Sequence, residues 1–369
     1  MTEVDNYEIV RQKLQIGRIT APKRKEIFKL MKIFWNEEEI KILSHFKNVG
    51  LKISLEELNK KTGIPEQEIE EKLKRSVNLG TIIQTNSDYR LMPLVPGIFE
   101  LYFIRRKDTE ENQQKVAEIY RYIFKNRAPD LEKVSSIRKG FRPLLPYDSE
   151  EKLIKVDKSF EVENQVLPFE VVKNMIDNND TFAVIPCQCR LIGELTGEPC
   201  EVAGPELGCF VVGEGAKRWI SQGLARSLTK EEAIDFLRKT EKAGLIHNSV
   251  ADTSKDNSRF ICNCCSCHCG ALLPAKKYFY KGVIETNFVP EFDMELCTKC
   301  ETCMKKCQNE AIYHIWPTKP DSSDERMKVR EELCVGCGIC AANCPNNAIK
   351  MVKVKNEHPK RMSVLNALF

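Results

Sequence analysis

The chain has 369 residues, 57 lysines and arginines against 53 aspartates and glutamates, a formal net charge of +4 and 17 cysteines. So balanced a surface offers no broad field for nucleic acid or an anionic membrane, and no apolar run reaches the ~20 residues of a membrane span. All 17 cysteines fall between Cys187 and Cys344, which in a reducing compartment points to metal ligation over disulfides and divides the chain.

The first residues, polar and basic through Pro22-Lys23-Arg24-Lys25, lack the regions of a secretion signal, and the expected location is cytoplasmic. From Glu37 onward Ile40, Leu43 and Phe46 recur at helical spacing, and Ser54-x-x-Glu57 is a capping box for a second helix. Pro65 suits the start of a third helix, with Ile69, Leu73 and Val77 on one side and Gly80 as its stop. Residues 81–84 and 89–91, about a turn at Asn86-Ser87-Asp88, read as a hairpin. Three helices and a β-wing predict a winged-helix-like domain with an N-terminal arm over residues 1–92. Glu66, Glu68, Glu70 and Glu71 crowd the helix that would enter a DNA groove and would repel phosphate, so the unit reads as a docking or dimerisation module before a DNA reader.

Residues 93–180 form a helical and extended connecting region. A helix is expected over 110–126, with Val116, Ile119, Tyr120 and Ile123 aligned, then proline-bounded extended chain over 130–169 and a short helix over 171–176. A buried strand at 182–185 leads into a cysteine-rich α/β domain over 181–290. It opens with Cys187-Gln188-Cys189-Arg190, then Cys200 and Cys209; in extended chain Cys187 and Cys189 point the same way and face one metal centre. Gly204, Pro205, Gly208, Gly213 and Gly215 keep the loop close to what it surrounds. Thr229-x-x-Glu232 caps a helix carrying Ile234, Phe236 and Leu237, which stops at Gly244. His247 beyond it is expected to be hydrogen-bonded and not a ligand. In Cys262-Asn263-Cys264-Cys265-Ser266-Cys267-His268-Cys269, an extended chain puts Cys262 and Cys264 on one face and Cys265, Cys267 and Cys269 on the other. Two sites, or one site with spare thiols, both fit, and His268 is expected outside the ligand set.

Residues 291–355 carry two runs 37 residues apart: Cys297, Cys300, Cys303 and Cys307, then Cys334, Cys337, Cys340 and Cys344-Pro345. This is the spacing of bacterial two-cluster ferredoxins, in which the fourth cysteine of each run serves the other cluster. Cys297, Cys300, Cys303 and Cys344 are then expected to hold one [4Fe-4S] cluster, and Cys334, Cys337, Cys340 and Cys307 the other. The repeat extends to Glu310-Ala311-Ile312 and Asn347-Ala348-Ile349, with a helix expected to begin at the last cysteine of each run. Gln308 stands where the first run would have proline, a sign of altered packing beside one cluster. Two complete three-plus-one runs favour cubane clusters over zinc. Residues 356–369 form a tail.

On these motifs the chain resembles the dicluster 4Fe-4S ferredoxin-like proteins of anaerobic bacteria and archaea. Within them it is similar to the longer members with an N-terminal winged helix and a cysteine-rich middle domain. Their middle pattern appears here as Cys187-Gln188-Cys189-Arg190, Cys200, Cys209, Gly244-Leu245-Ile246-His247 and Cys262-Asn263-Cys264-Cys265. One departure is Cys267-His268-Cys269, where the family continues with consecutive cysteines.

The expected fold is α+β and multidomain, ending in a bacterial-type two-cluster ferredoxin fold. The expected function is electron transfer through two [4Fe-4S] clusters and a further Fe-S or metal centre in the middle domain, with a redox partner protein or enzyme complex. Two alternatives stand beside it: an Fe-S oxidoreductase subunit with catalysis at the middle centre, and a redox-responsive transcriptional regulator.

Overall fold

A computed structural model describes residues 5–16, 19–126, 142–149, 154–156, 172–249, 260–278, 287–319 and 325–355. The expectations for 130–141, 157–171 and the 356–369 tail lie outside the described residues. Helices and strands are both abundant, giving an α+β chain with two compact units, the first built chiefly from residues 5–126 and the second from residues 142–190 and 199–355.

In the first unit helices Glu37–Leu43, Leu55–Thr62 and Glu66–Leu79 accompany an antiparallel sheet in the order Lys52–Ser54, Asp88–Leu91, Ile82–Thr85. Gly63 and Gly80 end the second and third of these helices in the left-handed conformation. A second kind of capping box, Asn36-x-x-Glu39 with asparagine in place of serine or threonine, opens the first. Glu39 is 1% exposed, yet its carboxylate accepts from Asn36 N, from Ser76 Oγ and from Arg75, tying the first helix to the third. Buried Ile69, Leu73, Ser76 and Leu79 turn the third helix inward, while Glu66, Glu68, Glu70 and Glu71 are exposed. Helices Phe99–Arg105 and Glu110–Lys125 join the same core through Phe99, Tyr102, Phe103, Tyr120 and Phe124.

The second unit is organised by a six-stranded, wholly antiparallel sheet: Arg226–Leu228, Phe182–Ile185, Cys209–Val212, Phe260–Cys264, Ile246–Ser249, Arg142–Pro143 in spatial order. Two of its strands, Phe182–Ile185 and Cys209–Val212, are buried throughout, which explains why apolar runs stand where alternation would mark a half-exposed strand. Helix Lys230–Ala243 lays Phe236 and Leu237 on the core with Phe182, Val184, Phe210 and Ile261. Its Thr229–Glu232 capping box is complete, and Gly244 ends it at φ 97°.

After the sheet the chain forms two antiparallel pairs, Phe288–Phe292 with Ile349–Lys353 and Ile312–Ile315 with Arg326–Val329. The helices beside them, Thr302–Lys306 and Ile339–Ala342, do not begin at the last cysteine of each run as expected. Each carries the third cysteine and ends before the fourth. The cause is local: the fourth sulfur accepts a backbone N–H from four residues on, Ala311 N to Cys307 Sγ at 3.3 Å and Ala348 N to Cys344 Sγ at 3.2 Å, which takes a turn. Left-handed Glu310 and Asn347 make that turn.

Candidate iron-sulfur centres

The 37-residue repeat extends into the backbone. Lys299, Glu301 and Glu310 adopt positive φ, and so do Gly336, Gly338 and Asn347, each 37 positions later. These left-handed residues let each loop wrap inward and turn N–H groups toward sulfur, as Gly336 N does to Cys334 Sγ at 3.4 Å. The second run uses glycine where the conformation favours it, whereas the first places Lys299 and Glu301 there.

Two cavities result. Cys297, Cys300, Cys303 and Cys344 line one, and Cys307, Cys334, Cys337 and Cys340 line the other. Each therefore collects three cysteines of one run and the last of the other. Their surroundings differ, since Cys300 is exposed, as is Leu296 four positions earlier in the chain, while burial drives the Cys337 and Cys340 thiols well above their ordinary range.

The nine upstream cysteines are assembled from separate elements. Strand register makes Cys262 the cross-strand neighbour of Cys209, one step beyond Ile261 opposite Phe210. Cys187 follows the strand Phe182–Ile185, but a helix opens at Gln188, so Cys189 lies in its first turn and not in extended chain. The two thiols are hydrogen-bonded all the same, which holds Cys187 down at about 7. The run from Cys262 is extended only to Cys264 and then turns, returning Cys269 to the Cys262 and Cys264 side. The two-faced extended arrangement expected for the run is thus replaced by a split. Cys187, Cys189, Cys209, Cys262, Cys264 and Cys269 form one neighbourhood; Cys200, Cys265, Cys267 and His268 form another. His268, expected outside any ligand set, is 3% exposed with Nδ1 3.1 Å from Cys267 Sγ. No feature of the sequence run alone could have placed it there, because its partner Cys200 comes from a distant loop.

Arg190 closes the motif that begins at Cys187. It is fully buried, and its guanidinium donates to Gly204 O, to Asn263 O at 2.9 Å and to Leu207 O. Burial opposes its charge, and Cys187, Cys265, Cys209 and Cys200 around it more than compensate. One side chain thus pins the glycine-rich loop to the cysteine strand while placing a positive charge among Cys187, Cys200, Cys209 and Cys265. Gly208 lets the loop close: a Cβ there would stand 1.9 Å from Ile185 O and 2.5 Å from Cys187 N.

His247 is hydrogen-bonded as expected, with Nδ1 2.7 Å from Asn263 Oδ1 and Nε2 3.1 Å from Glu241 Oε1. Asn263 in turn donates to Gly208 O at 2.6 Å. Both ring nitrogens are committed within the protein, leaving His247 none for a metal. Asn248 is different. It is wholly buried, and its side-chain amide reaches the Cys264 thiol. Hydrogen bonds from Cys262 and Cys269, and then that amide and the Arg190 charge, push Cys264 well below its ordinary value. Six sulfurs gathered about one buried amide are the soft donor set that a sulfur-ligated centre takes, and the residues fit one.

The middle thiols also meet the C-terminal domain. Cys264, Cys269, Ile246, Leu272, Val335 and Ile339 share an apolar cluster, with Cys262 and Cys337 packed against it. Ser266 N donates to Gln308 Oε1 at 3.3 Å, and Ser266 Oγ donates to Gln308 O. Proline at position 308 could not supply that side-chain acceptor, which accounts for the departure at Gln308.

Residues 291–351 match the family model of the 4Fe-4S dicluster domain. No curated protein and no solved structure matches the chain. Among the described residues no helix is long and apolar enough to cross a membrane. With a dicluster domain at its C-terminal end and a cysteine-rich region before it, the chain has an iron-sulfur electron-transfer role.

Proposed function

We propose that the chain passes single electrons between a sulfur-ligated centre in the middle domain and an external redox partner by way of two [4Fe-4S] clusters. In this reading Cys297, Cys300, Cys303 and Cys344 hold one cluster, and Cys334, Cys337, Cys340 and Cys307 the other; Cys187, Cys189, Cys209, Cys262, Cys264 and Cys269 supply the middle Fe-S ligands. Such clusters supply one-electron chemistry when bound. The observation that carries the reading is the shared packing of Cys337 with Cys262, Cys264 and Cys269, reinforced by the Ser266–Gln308 hydrogen bonds next to Cys307.

Those contacts order the sites. The Cys307 quartet faces the middle thiols, and the Cys297 quartet, with exposed Cys300 and Leu296, is where a partner docks. Burial of Cys187, Cys264 and Cys269, each under 8% exposed, favours an electron carrier over a catalytic subunit that must admit substrate. In the first unit the order helix, strand, helix, helix, hairpin is that of a winged helix. Four exposed glutamates on its third helix favour protein docking over DNA.

Iron and acid-labile sulfide analysis of anaerobically prepared protein tests the proposal. Clearly more than about eight iron atoms per chain is expected; a value near eight accounts for the ferredoxin clusters alone and sinks the middle Fe-S centre.

A further inference from the structure

Three of the nine middle thiols stand apart geometrically from the other six. Cys200, Cys265, Cys267 and His268 bring three sulfurs and a ring nitrogen within 4.8 Å of one another. Cys200 Sγ lies 3.4 Å from Cys267 Sγ, and His268 Nδ1 lies 3.1 Å from the same sulfur. A tetrahedral ion with metal–sulfur distances of about 2.3 Å and metal–nitrogen distances of about 2.0 Å spaces its ligand atoms by roughly 3.5–4 Å. A cubane seats each thiolate on a different iron and holds them farther apart. The chain contains its own comparison: among the described residues neither ferredoxin quartet forms so compact a set, and neither do the six remaining middle cysteines.

The structure assigns Cys200, Cys265, Cys267 and His268, we propose, to a single zinc ion, separate from every iron-sulfur ligand. Three sulfurs and one imidazole make the closed Cys3His set of structural zinc, which leaves no position open for water or substrate. With three thiolates and a neutral imidazole the site carries one negative charge, and the buried guanidinium of Arg190 lies beside Cys265 and Cys200 to balance it. The ion would fasten the Cys200 loop to the turn after strand Phe260–Cys264. Ser266, between two of the ligands, would thereby be held in place against Gln308. The site stands whether or not the neighbouring six thiols carry iron.

The test uses the full chain prepared without oxygen. Elemental analysis should give about one zinc per chain besides the iron, and zinc X-ray absorption should show three sulfurs and one nitrogen. Cys200→Ser and Cys267→Ser should each lower zinc affinity by roughly tenfold or more while iron content and the EPR signals stay unchanged. His268→Cys should keep the zinc and convert its shell to four sulfurs, a readout that holds even if a serine variant fails to fold. Absence of zinc, iron lost in step with a Cys200 or Cys267 change, or an unaltered shell in His268→Cys overturns the assignment.

Discussion

The two cysteine-bearing regions of the second unit solve the same problem in opposite ways. The C-terminal domain draws each quartet from two short runs, and left-handed residues at matching positions shape both loops. The middle domain gathers its thiols from two strands, a helix start, a loop and a turn, and holds them with a sheet and one buried arginine. Where ligand geometry resides in local backbone, distant changes should leave it intact. Where it resides in the scaffold, one distant change should scatter it.

The largest effect should come from Arg190→Leu. Removing the guanidinium leaves three carbonyls and several thiolates unpaired, and should cost about 3–5 kcal/mol in urea unfolding of the second unit. Iron beyond the ferredoxin complement should be lost while the ferredoxin EPR signals survive; equal loss from both regions would erase the contrast. Gly208→Ala comes next, at about 2–3 kcal/mol by the same measurement, because its Cβ meets main-chain atoms that cannot move aside. Gln308→Pro addresses the joint between the regions. Loss of the Ser266 N–H acceptor should speed hydrogen exchange at Ser266 about tenfold, equivalent to about 1.4 kcal/mol, with cluster content unchanged. The smallest effect has the opposite sign: Glu301→Gly should raise stability by about 0.5 kcal/mol in thermal unfolding, since it gives the first run the glycine that the second has at 338.

The same contrast decided what could be read in advance. The ferredoxin runs were legible because ligand spacing, repeat and crossed membership are all written within a few dozen residues. Helix stops at Gly80 and Gly244 and the Thr229–Glu232 box were legible for the same reason. Cys262 beside Cys209 depends on strand register across the sheet, which the cysteine run does not encode. The run also escaped its strand periodicity at Cys265, where Ser266 hydrogen-bonds with Gln308, 42 positions away, and no longer with a neighbouring strand. That His268 lies beside Cys200 could not be read from the run, because Cys200 is brought in by the fold. Arg190 stands in the sequence as part of a motif and Gln308 as a departure from one, but their purpose lies in carbonyls and amides of remote segments.

The crossed cavities have a consequence for biogenesis. Neither has all its thiol walls until the second run has been synthesised and has folded back on the first, because Cys344 closes one and Cys307 the other. A nascent chain halted between the runs could present three thiols but no complete site. Loading should therefore follow synthesis of the whole domain and proceed nearly all-or-none, and half-filled molecules should be the ones that proteases remove.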